Sequence, residues 1–325
     1  MSGAAPVGRF APSPTGDLHL GSALALLAAW ASVRSRGGTF VWRVEDLDGP
    51  RAVPESPERQ MADARWLGFD WDHGPDRGGP DAPYRQSERF ELYDEALRQL
   101  AAAARLFPCR RSRKDLRALA SAPHGASGLP PYPARWRPSG LAPDWFASLG
   151  ERPDCALRFR VDDGPVTFAD GVVGRVTEDV RETTGDVVLK RRDGVFAYQL
   201  AVVVDDLAMG VTEVVRGMDL LDSTARQILL IRALGGAVPA YAHVPLLVNA
   251  EGEKLSKRDR PPSIRELRER GIAPEAIIGW LVGALGQIGG SAPRTAEAVA
   301  ATWDLTRVRP DPVLVPADIA DRFMS

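Results

Sequence analysis

Apolar and polar positions alternate with two different periods over the first third of the chain. Residues 7–16 (Val-Gly-Arg-Phe-Ala-Pro-Ser-Pro-Thr-Gly) predict a short strand running into a proline-glycine turn. Residues 19–34 then place Leu, Ala and Trp at helical spacing. Thr39 to Val44 alternates as a strand and ends in Glu45-Asp46-Leu47-Asp48. Ser56 to Leu67 predicts a helix, with Ser56 as its cap and Pro57 in its first turn. Ser87 to Leu106 predicts the longest helix, again with a serine start and an acidic residue close behind. Strands and helices in this order predict an α/β fold on a parallel sheet.

The periodicity stops over residues 107–163, where prolines and glycines are frequent. It resumes after about residue 164. Phe196 to Val204 reads as a strongly apolar strand ending in Asp205-Asp206, and Val211 to Arg216 as another. Ser223 to Leu234 predicts a helix closed by Gly235-Gly236, and Tyr241 to Val248 a further strand. Beyond Arg258 the chain reads as helical and then irregular, and no internal repeat occurs.

A length of 325 residues allows one large domain with an insert, or two domains. With 44% hydrophobic and 26% charged residues, disorder as the dominant state is excluded. Two cysteines, Cys109 and Cys155, exclude a disulfide scaffold and fit a reducing compartment. The longest apolar run, Ala23 to Ala31, is too short to span a bilayer. The turn-rich polar stretch before it is unlike a signal peptide, so a cytoplasmic protein without a membrane partner is expected.

A net charge of −2 excludes a generally basic nucleic-acid binder. Locally the balance differs. Arg105, Arg110, Arg111, Arg113, Lys114, Arg117, Arg135 and Arg137 are opposed over 105–137 only by Asp115. That run reads either as a solvated surface or as a contact for a phosphate backbone. Only Lys114, Lys190, Lys254 and Lys257 are lysines, and two of them share one pentapeptide.

Neither G-x-x-x-x-G-K-[ST] nor G-x-G-x-x-G occurs. His19-Leu20-Gly21-Ser22 instead stands where a turn feeds a helix. A helix start offers free N–H groups and a positive dipole end to a phosphate. An imidazole there can hydrogen-bond phosphoryl oxygens as charge develops, and Gly21 would let a base or ribose approach. Lys254-Leu255-Ser256-Lys257-Arg258 offers cations suited to a pentavalent α-phosphate and a leaving pyrophosphate. Taken singly, the first segment reads equally as a helix cap and the second as a solvated basic loop.

Together the two segments resemble the paired signatures of class I aminoacyl-tRNA synthetases. The opening Arg9-Phe10-Ala11-Pro12-Ser13-Pro14-Thr15-Gly16 is similar to the glutamate-specific branch. So are Arg43-Val44-Glu45-Asp46, Tyr84-Arg85-Gln86-Ser87-Glu88-Arg89, Tyr198-Gln199-Leu200-Ala201, and Val215-Arg216-Gly217 with Leu220-Leu221-Asp222-Ser223-Thr224. The likeness covers roughly residues 7–260. Within that branch the chain most resembles the glutamyl-Q tRNA(Asp) synthetases, catalytic-core paralogues without an anticodon-binding domain. Val202, where full-length glutamyl enzymes usually carry asparagine, adds to that likeness.

The resemblance implies a Rossmann-type catalytic domain in two halves, 1–106 and 176–248, around an α/β insert over 107–175. Residues 249–325 would hold the KLSKR loop and a short, mainly helical C-terminal subdomain. The implied activity joins ATP, with Mg²⁺, and L-glutamate into glutamyl-adenylate without tRNA. The glutamyl group then passes to queuosine in the anticodon of tRNA(Asp). The implied catalytic residues are His19, Gly21, Lys254 and Lys257. ATP would meet His19, Gly21, Ser22 and Lys257. Glutamate would meet Arg9, Phe10, Ala11, Pro12, Ser13, Glu45, Tyr198 and Arg216. Arginine forks suit carboxylates, and Glu45 suits the α-ammonium. A monomer is expected. The alternatives are a truncated glutamyl-tRNA synthetase charging tRNA(Glu) and a non-catalytic tRNA-binding relic.

Ser22 stands in place of a histidine, Leu255 of a methionine and Arg258 of a serine. The insert departs further. Where the family often holds zinc through C-x-C, a tyrosine and another cysteine, this chain has Cys109-Arg110-Arg111, Tyr132 and Arg135-Trp136-Arg137. One thiolate and one phenol do not make a four-coordinate structural site. Zinc is therefore expected to be absent, with Tyr132, Trp136 and Trp145 stapling the insert instead.

Overall fold

The computed structural model describes residues 4–119, 130–142, 144–149, 154–253 and 262–324. The strands are Val7–Phe10 (β1), Thr39–Trp42 (β2), Leu106–Cys109 (β3), Ala156–Phe159 (β4), Val166–Asp170 (β5), Gly174–Glu178 (β6), Val187–Lys190 (β7), Glu213–Gly217 (β8), Ala240–Val244 (β9), Leu247–Val248 (β10) and Val313–Leu314 (β11). The helices are Leu20–Arg34 (α1), Ser56–Trp66 (α2), Phe90–Ala102 (α3), Arg113–Leu119 (α4), Val180–Thr183 (α5), Tyr198–Ala208 (α6), Leu221–Ala233 (α7), Ile264–Glu269 (α8), Pro274–Ala284 (α9), Ala296–Ala300 (α10) and Ile319–Arg322 (α11).

A six-stranded sheet in the order β2-β1-β8-β9-β5-β6 forms the centre. Its first five strands run parallel, and β6 closes the edge antiparallel to β5. Alternate side chains of these short strands enter two different cores, as the pleat requires. Phe40, Trp42, Val215, Ala242 and Val244 face the layer of α1 and the C-terminal helices. Val41, Val214 and Tyr241 face the layer of α3, α6 and α7. Both faces are thus covered, as parallel sheets need. Helix α1 is rich in Leu and Ala and buried almost all round, because it packs on β1, β2 and β8 and under α9 and α10. No helix among the described residues is long and apolar enough to cross a membrane.

A second, antiparallel sheet, β3-β4-β7, makes the insert. The pairing does not follow the expected boundary at residue 175. β5, inside the 107–175 range, and β6, which straddles its end, join the central sheet, while β7 lies beyond the range yet belongs to the insert sheet.

Three local expectations are corrected. Phe196–Val204 is not a strand; Tyr198–Ala208 is helix α6. The segment is buried on every side, so its apolar run carries no period that separates strand from helix. Ser56 does not cap α2: its hydroxyl donates to the Gly16 carbonyl, and Glu55 occupies the cap position. Ser87 donates to Asp46 instead of capping, α3 begins at Phe90, and Leu106 already belongs to β3.

Helix α6 carries the charged heart of the fold. Asp205, fully buried, accepts from Arg89 Nε (2.7 Å), Gln86 Nε2 (2.8 Å) and the Tyr93 hydroxyl (2.9 Å). Arg43, also fully buried, donates to Asp206 (2.7 Å) and to Glu45 (3.0 Å) and lies 3.7 Å from Asp205. Burial opposes the Arg43 charge, but Asp206, Asp205 and Glu45 outweigh it and hold its pKa above the ordinary arginine value. Burial likewise opposes the Asp206 carboxylate, but Arg43 and Arg9 overcome it and hold its pKa below the usual range.

Removing one member of such a network strands its partners in a dry interior. Asp205→Ala should cost about 3–5 kcal/mol in urea unfolding. Glu269→Ala, which removes an exposed pair with Arg265, should leave the urea midpoint where it was. Equal midpoints for the two variants would contradict this account.

Candidate active site

A cavity of about 1440 Å³ opens beyond the C-terminal ends of β1, β8 and β9, where ligands of open α/β sheets sit. It brings together Arg9, Phe10, Ala11, Pro12, Ser13, His19, Gly21, Ser22, Glu45, Tyr198 and Arg216, all drawn from the sequence motifs. Lys254 and Lys257, and Arg258 beside them, lie outside the described residues.

One end of the cavity is the start of α1. His19 is its cap: the ring Nδ1 accepts from the Ser22 N–H (3.3 Å), and Ser22 Oγ lies 3.2 Å from Nε2. A side chain at position 21 would bring a Cβ to 3.3 Å from His19 Nδ1, so glycine leaves the ring seated. The His19 backbone also bridges Ser263, whose capping box opens α8. Gly16, at φ +149°, turns the chain from the proline-rich segment toward this helix.

The other end is a floor of buried charge. Arg9 donates weakly to Asp206 and to the Val215 carbonyl, each at 3.4 Å. Glu45 gives one oxygen to Arg43 at 3.0 Å. Burial pushes its carboxyl up, against the pull of Arg43. Burial and the Glu45 charge likewise raise the Tyr198 phenol. Arg216 is buried and gives four of its five N–H groups to neutral acceptors: His243 Nε2 (3.0 Å), Gln227 Oε1 (2.8 Å), Thr224 Oγ1 (2.9 Å) and the Leu220 carbonyl (3.3 Å). No carboxylate among the described residues pairs with it. Only the field of Asp206 answers its charge, next to a cavity that can admit an anion. Val202, one turn beyond Tyr198, is buried in the core and does not line the cavity.

Arg111, Arg158, Arg191 and Arg192 form a basic wall on the insert side. The last three escaped the sequence reading. The adjacent pair Arg191-Arg192 was visible there as charge, but nothing placed it near the signatures. His243 and Asp170, which back Arg216, also escaped, since each sits in an otherwise ordinary strand.

In the insert, Cys109 Sγ lies 3.3 Å from the Tyr132 hydroxyl. Burial and that hydrogen bond raise the phenol's pKa. The Arg158 guanidinium covers the Tyr132 ring at 4.2 Å, Arg111 covers Trp136 at 5.1 Å, and the two rings meet edge-on at 5.6 Å. Among the described residues no three His, Cys, Asp or Glu side chains form a ligand set. Tyr132 and Trp136 pack with Phe107, Cys109 and Leu116 in one small core of the insert. Trp145 packs with Phe146 on the larger core that joins the insert strands β4 and β7 to α3, α6 and α7.

Residues 7–300 match the family of class I tRNA synthetases for glutamate and glutamine, catalytic domain. A glutamyl-Q tRNA(Asp) synthetase from Symbiobacterium thermophilum is 47% identical over 96% of this chain and 96% of its own length. Another, from Nitratidesulfovibrio vulgaris, is 47% identical over 97% of each. A glutamate tRNA ligase from Elizabethkingia meningosepticum superposes with a TM-score of 0.84 at 30% identity, over 98% of this chain and 68% of that one. A Rossmann-type sheet, a helix start at its strand ends and this breadth of likeness lead to one conclusion: the chain belongs to the glutamate- and glutamine-specific class I tRNA synthetases and, within them, groups with the glutamyl-Q tRNA(Asp) synthetases.

Proposed function

We propose that the chain activates L-glutamate with ATP, without tRNA, and passes the glutamyl group to queuosine in the anticodon of tRNA(Asp), working in the cytoplasm as a monomer. The observation that carries the amino-acid half is Arg216: a buried guanidinium with only neutral acceptors, in one cavity with Arg9 and Glu45. The substrate's side-chain carboxylate supplies the missing charge. Arg9, whose Nη2 has no partner among the described residues, bears on the same anion. The second oxygen of Glu45, also without a partner there, receives the α-ammonium, and Tyr198 hydrogen-bonds nearby. Phe10, Ala11, Pro12 and Ser13 wall the pocket. The tRNA half rests on the 47% identity to proteins bearing that activity in their names.

Activation is an in-line displacement. An oxygen of the α-carboxylate attacks the α-phosphorus, the bond to the bridging oxygen breaks, and pyrophosphate leaves. The carboxylate is already ionised at neutral pH, so no general base is required. The protein's task is positioning and charge stabilisation. The start of α1 turns its positive dipole end to the phosphates, and His19 sits at that same point. Gly21 and Ser22 border the nucleotide end. ATP would be taken as its Mg²⁺ complex, the ion supplying positive charge at the phosphates. Lys254 and Lys257 add positive charge to the pentavalent phosphate and the departing pyrophosphate. The arginine wall of Arg111, Arg158, Arg191 and Arg192 suits an approaching RNA backbone.

Glutamate-dependent ATP–pyrophosphate exchange should proceed with no tRNA present, and labelled glutamate should then appear on queuosine-containing tRNA(Asp). Exchange that requires tRNA(Glu) would instead mark a charging enzyme of the truncated kind. No exchange under either condition would mark the non-catalytic relic.

Lys257→Ala should lower kcat of exchange by about 10²–10³-fold with the far-UV circular dichroism unchanged. A kcat near wild type would remove Lys257 from the mechanism. Arg9→Ala should raise the glutamate KM by about tenfold or more while the ATP KM holds. An unchanged glutamate KM would take Arg9 out of the amino-acid pocket.

A further inference from the structure

Behind the amino-acid floor, Arg216 is held by two buried side chains that the reaction itself never touches. Arg216 Nε, on β8, donates to His243 Nε2, on β9, at 3.0 Å. The His243 Nδ1 lies 2.6 Å from Asp170 Oδ2, at the end of β5. Neither His243 nor Asp170 lines the cavity, and both are buried. The tautomer follows from donor chemistry. A guanidinium Nε can only donate, so His243 Nε2 must accept. The ring proton therefore sits on Nδ1 and is given to Asp170. Asp170 is itself fixed, because its Oδ1 accepts from the Val172, Val173 and His243 backbone N–H groups at 3.0–3.2 Å.

We propose that Asp170 and His243 are positioning residues for the amino-acid site: Asp170 selects the Nδ1–H tautomer, and His243 then pins Arg216 so that its guanidinium meets the substrate's side-chain carboxylate. This rests on the reading of Arg216 as a glutamate ligand. A flexible arginine would otherwise lose side-chain entropy on binding each substrate, and the bond to His243 places that loss in folding instead. The groups facing His243 fit a neutral ring. Asp170 lies on one side and the Arg216 cation on the other. Thr224 Oγ1 is at 3.2 Å, and the Tyr241 ring stacks at 6.3 Å. Arg9 adds a further positive field. Burial lowers the His243 pKa below its ordinary value, Arg216 and Arg9 lower it further, and Asp170 only partly opposes them. A second proton would set an N–H of the imidazolium against the Arg216 Nε–H.

The test uses an isosteric change. In Asp170→Asn the side-chain oxygen keeps the backbone bonds, while the new amide N–H faces His243 Nδ1 and drives the ring proton to Nε2, against Arg216. Inverting a buried tautomer in this way can disable a site whose geometry is intact. Expected in tRNA-free exchange is a rise in the glutamate KM of about tenfold or more, with the ATP KM within about twofold of wild type. His243→Gln places an amide oxygen where Nε2 stood and has no tautomer to invert. Added to Asp170→Asn, it should bring the glutamate KM back to within about threefold of wild type. Rescue of this kind is not expected if Asp170 merely braces the turn at Val172. Should Asp170→Asn fail to fold, His243→Phe, which keeps the ring shape and loses the acceptor, is expected to raise the glutamate KM alone, and His243→Gln to leave it low.

Arg216→Ala separates the two levels of the reading. If it leaves the glutamate KM unchanged, Arg216 is not a ligand and the underlying assignment falls. If Arg216→Ala raises that KM while Asp170→Asn does not, or while His243→Gln gives no rescue, the positioning chain is overturned and Arg216 stands alone.

Discussion

Arg43 lies fully buried where β2 meets helix α6, and its charge obliges the surrounding chain to supply carboxylates. Asp206 and Glu45 answer directly and Asp205 from slightly farther away, while Arg89, Gln86 and Tyr93 hold Asp205 in turn. Taking ions out of water costs several kcal/mol each, so none of these groups is dispensable once the others are in place. The same network reaches the cavity through two exits. Glu45 spends one oxygen on Arg43 and lines the cavity, and Asp206 steadies Arg9. Amino-acid recognition is therefore an outgrowth of the ion cluster that locks α6 to the sheet.

The site was legible in the sequence where its chemistry stands in turns at strand ends. Arg9 to Gly16, His19 to Ser22 and Glu45 occupy such turns, and their spacing along the chain survives folding as proximity in one cavity. Parts that depend on long-range packing were not legible. Phe196–Val204 has no usable period because every side is buried, and its two aspartates looked like a strand end when they are the core of the charge network. Ser56 and Ser87 read as caps because a hydroxyl before a helix usually serves the local backbone. Here each hydroxyl is claimed by a distant partner, Gly16 or Asp46. His243 and Asp170 sit on different strands and become neighbours only through β5 pairing with β9.

In the insert, Cys109 and Tyr132 face each other with the Cys155 thiol beside Cys109, and two guanidiniums cover the aromatic faces of Tyr132 and Trp136. Such contacts contribute about 0.5–2 kcal/mol each, less than a structural metal. This small cluster is accordingly a modest anchor, and Arg158 also turns toward the cavity wall.

The interleaving of the two sheets governs how the insert can behave. After β3 and β4 the chain leaves the insert, adds β5 and β6 to the edge of the central sheet, and only then returns as β7. An appended module joined by one linker could fray, swing or be cut away by itself. This one is stitched through its neighbour, so releasing β7 from β4 pulls on the same segment that pairs β5 with β9. Opening of the two sheets is then a shared event rather than two separate ones, in the sense of a single cooperative unit. A macromolecule gripping the insert would, by that threading, be held at a set distance and angle from the cavity.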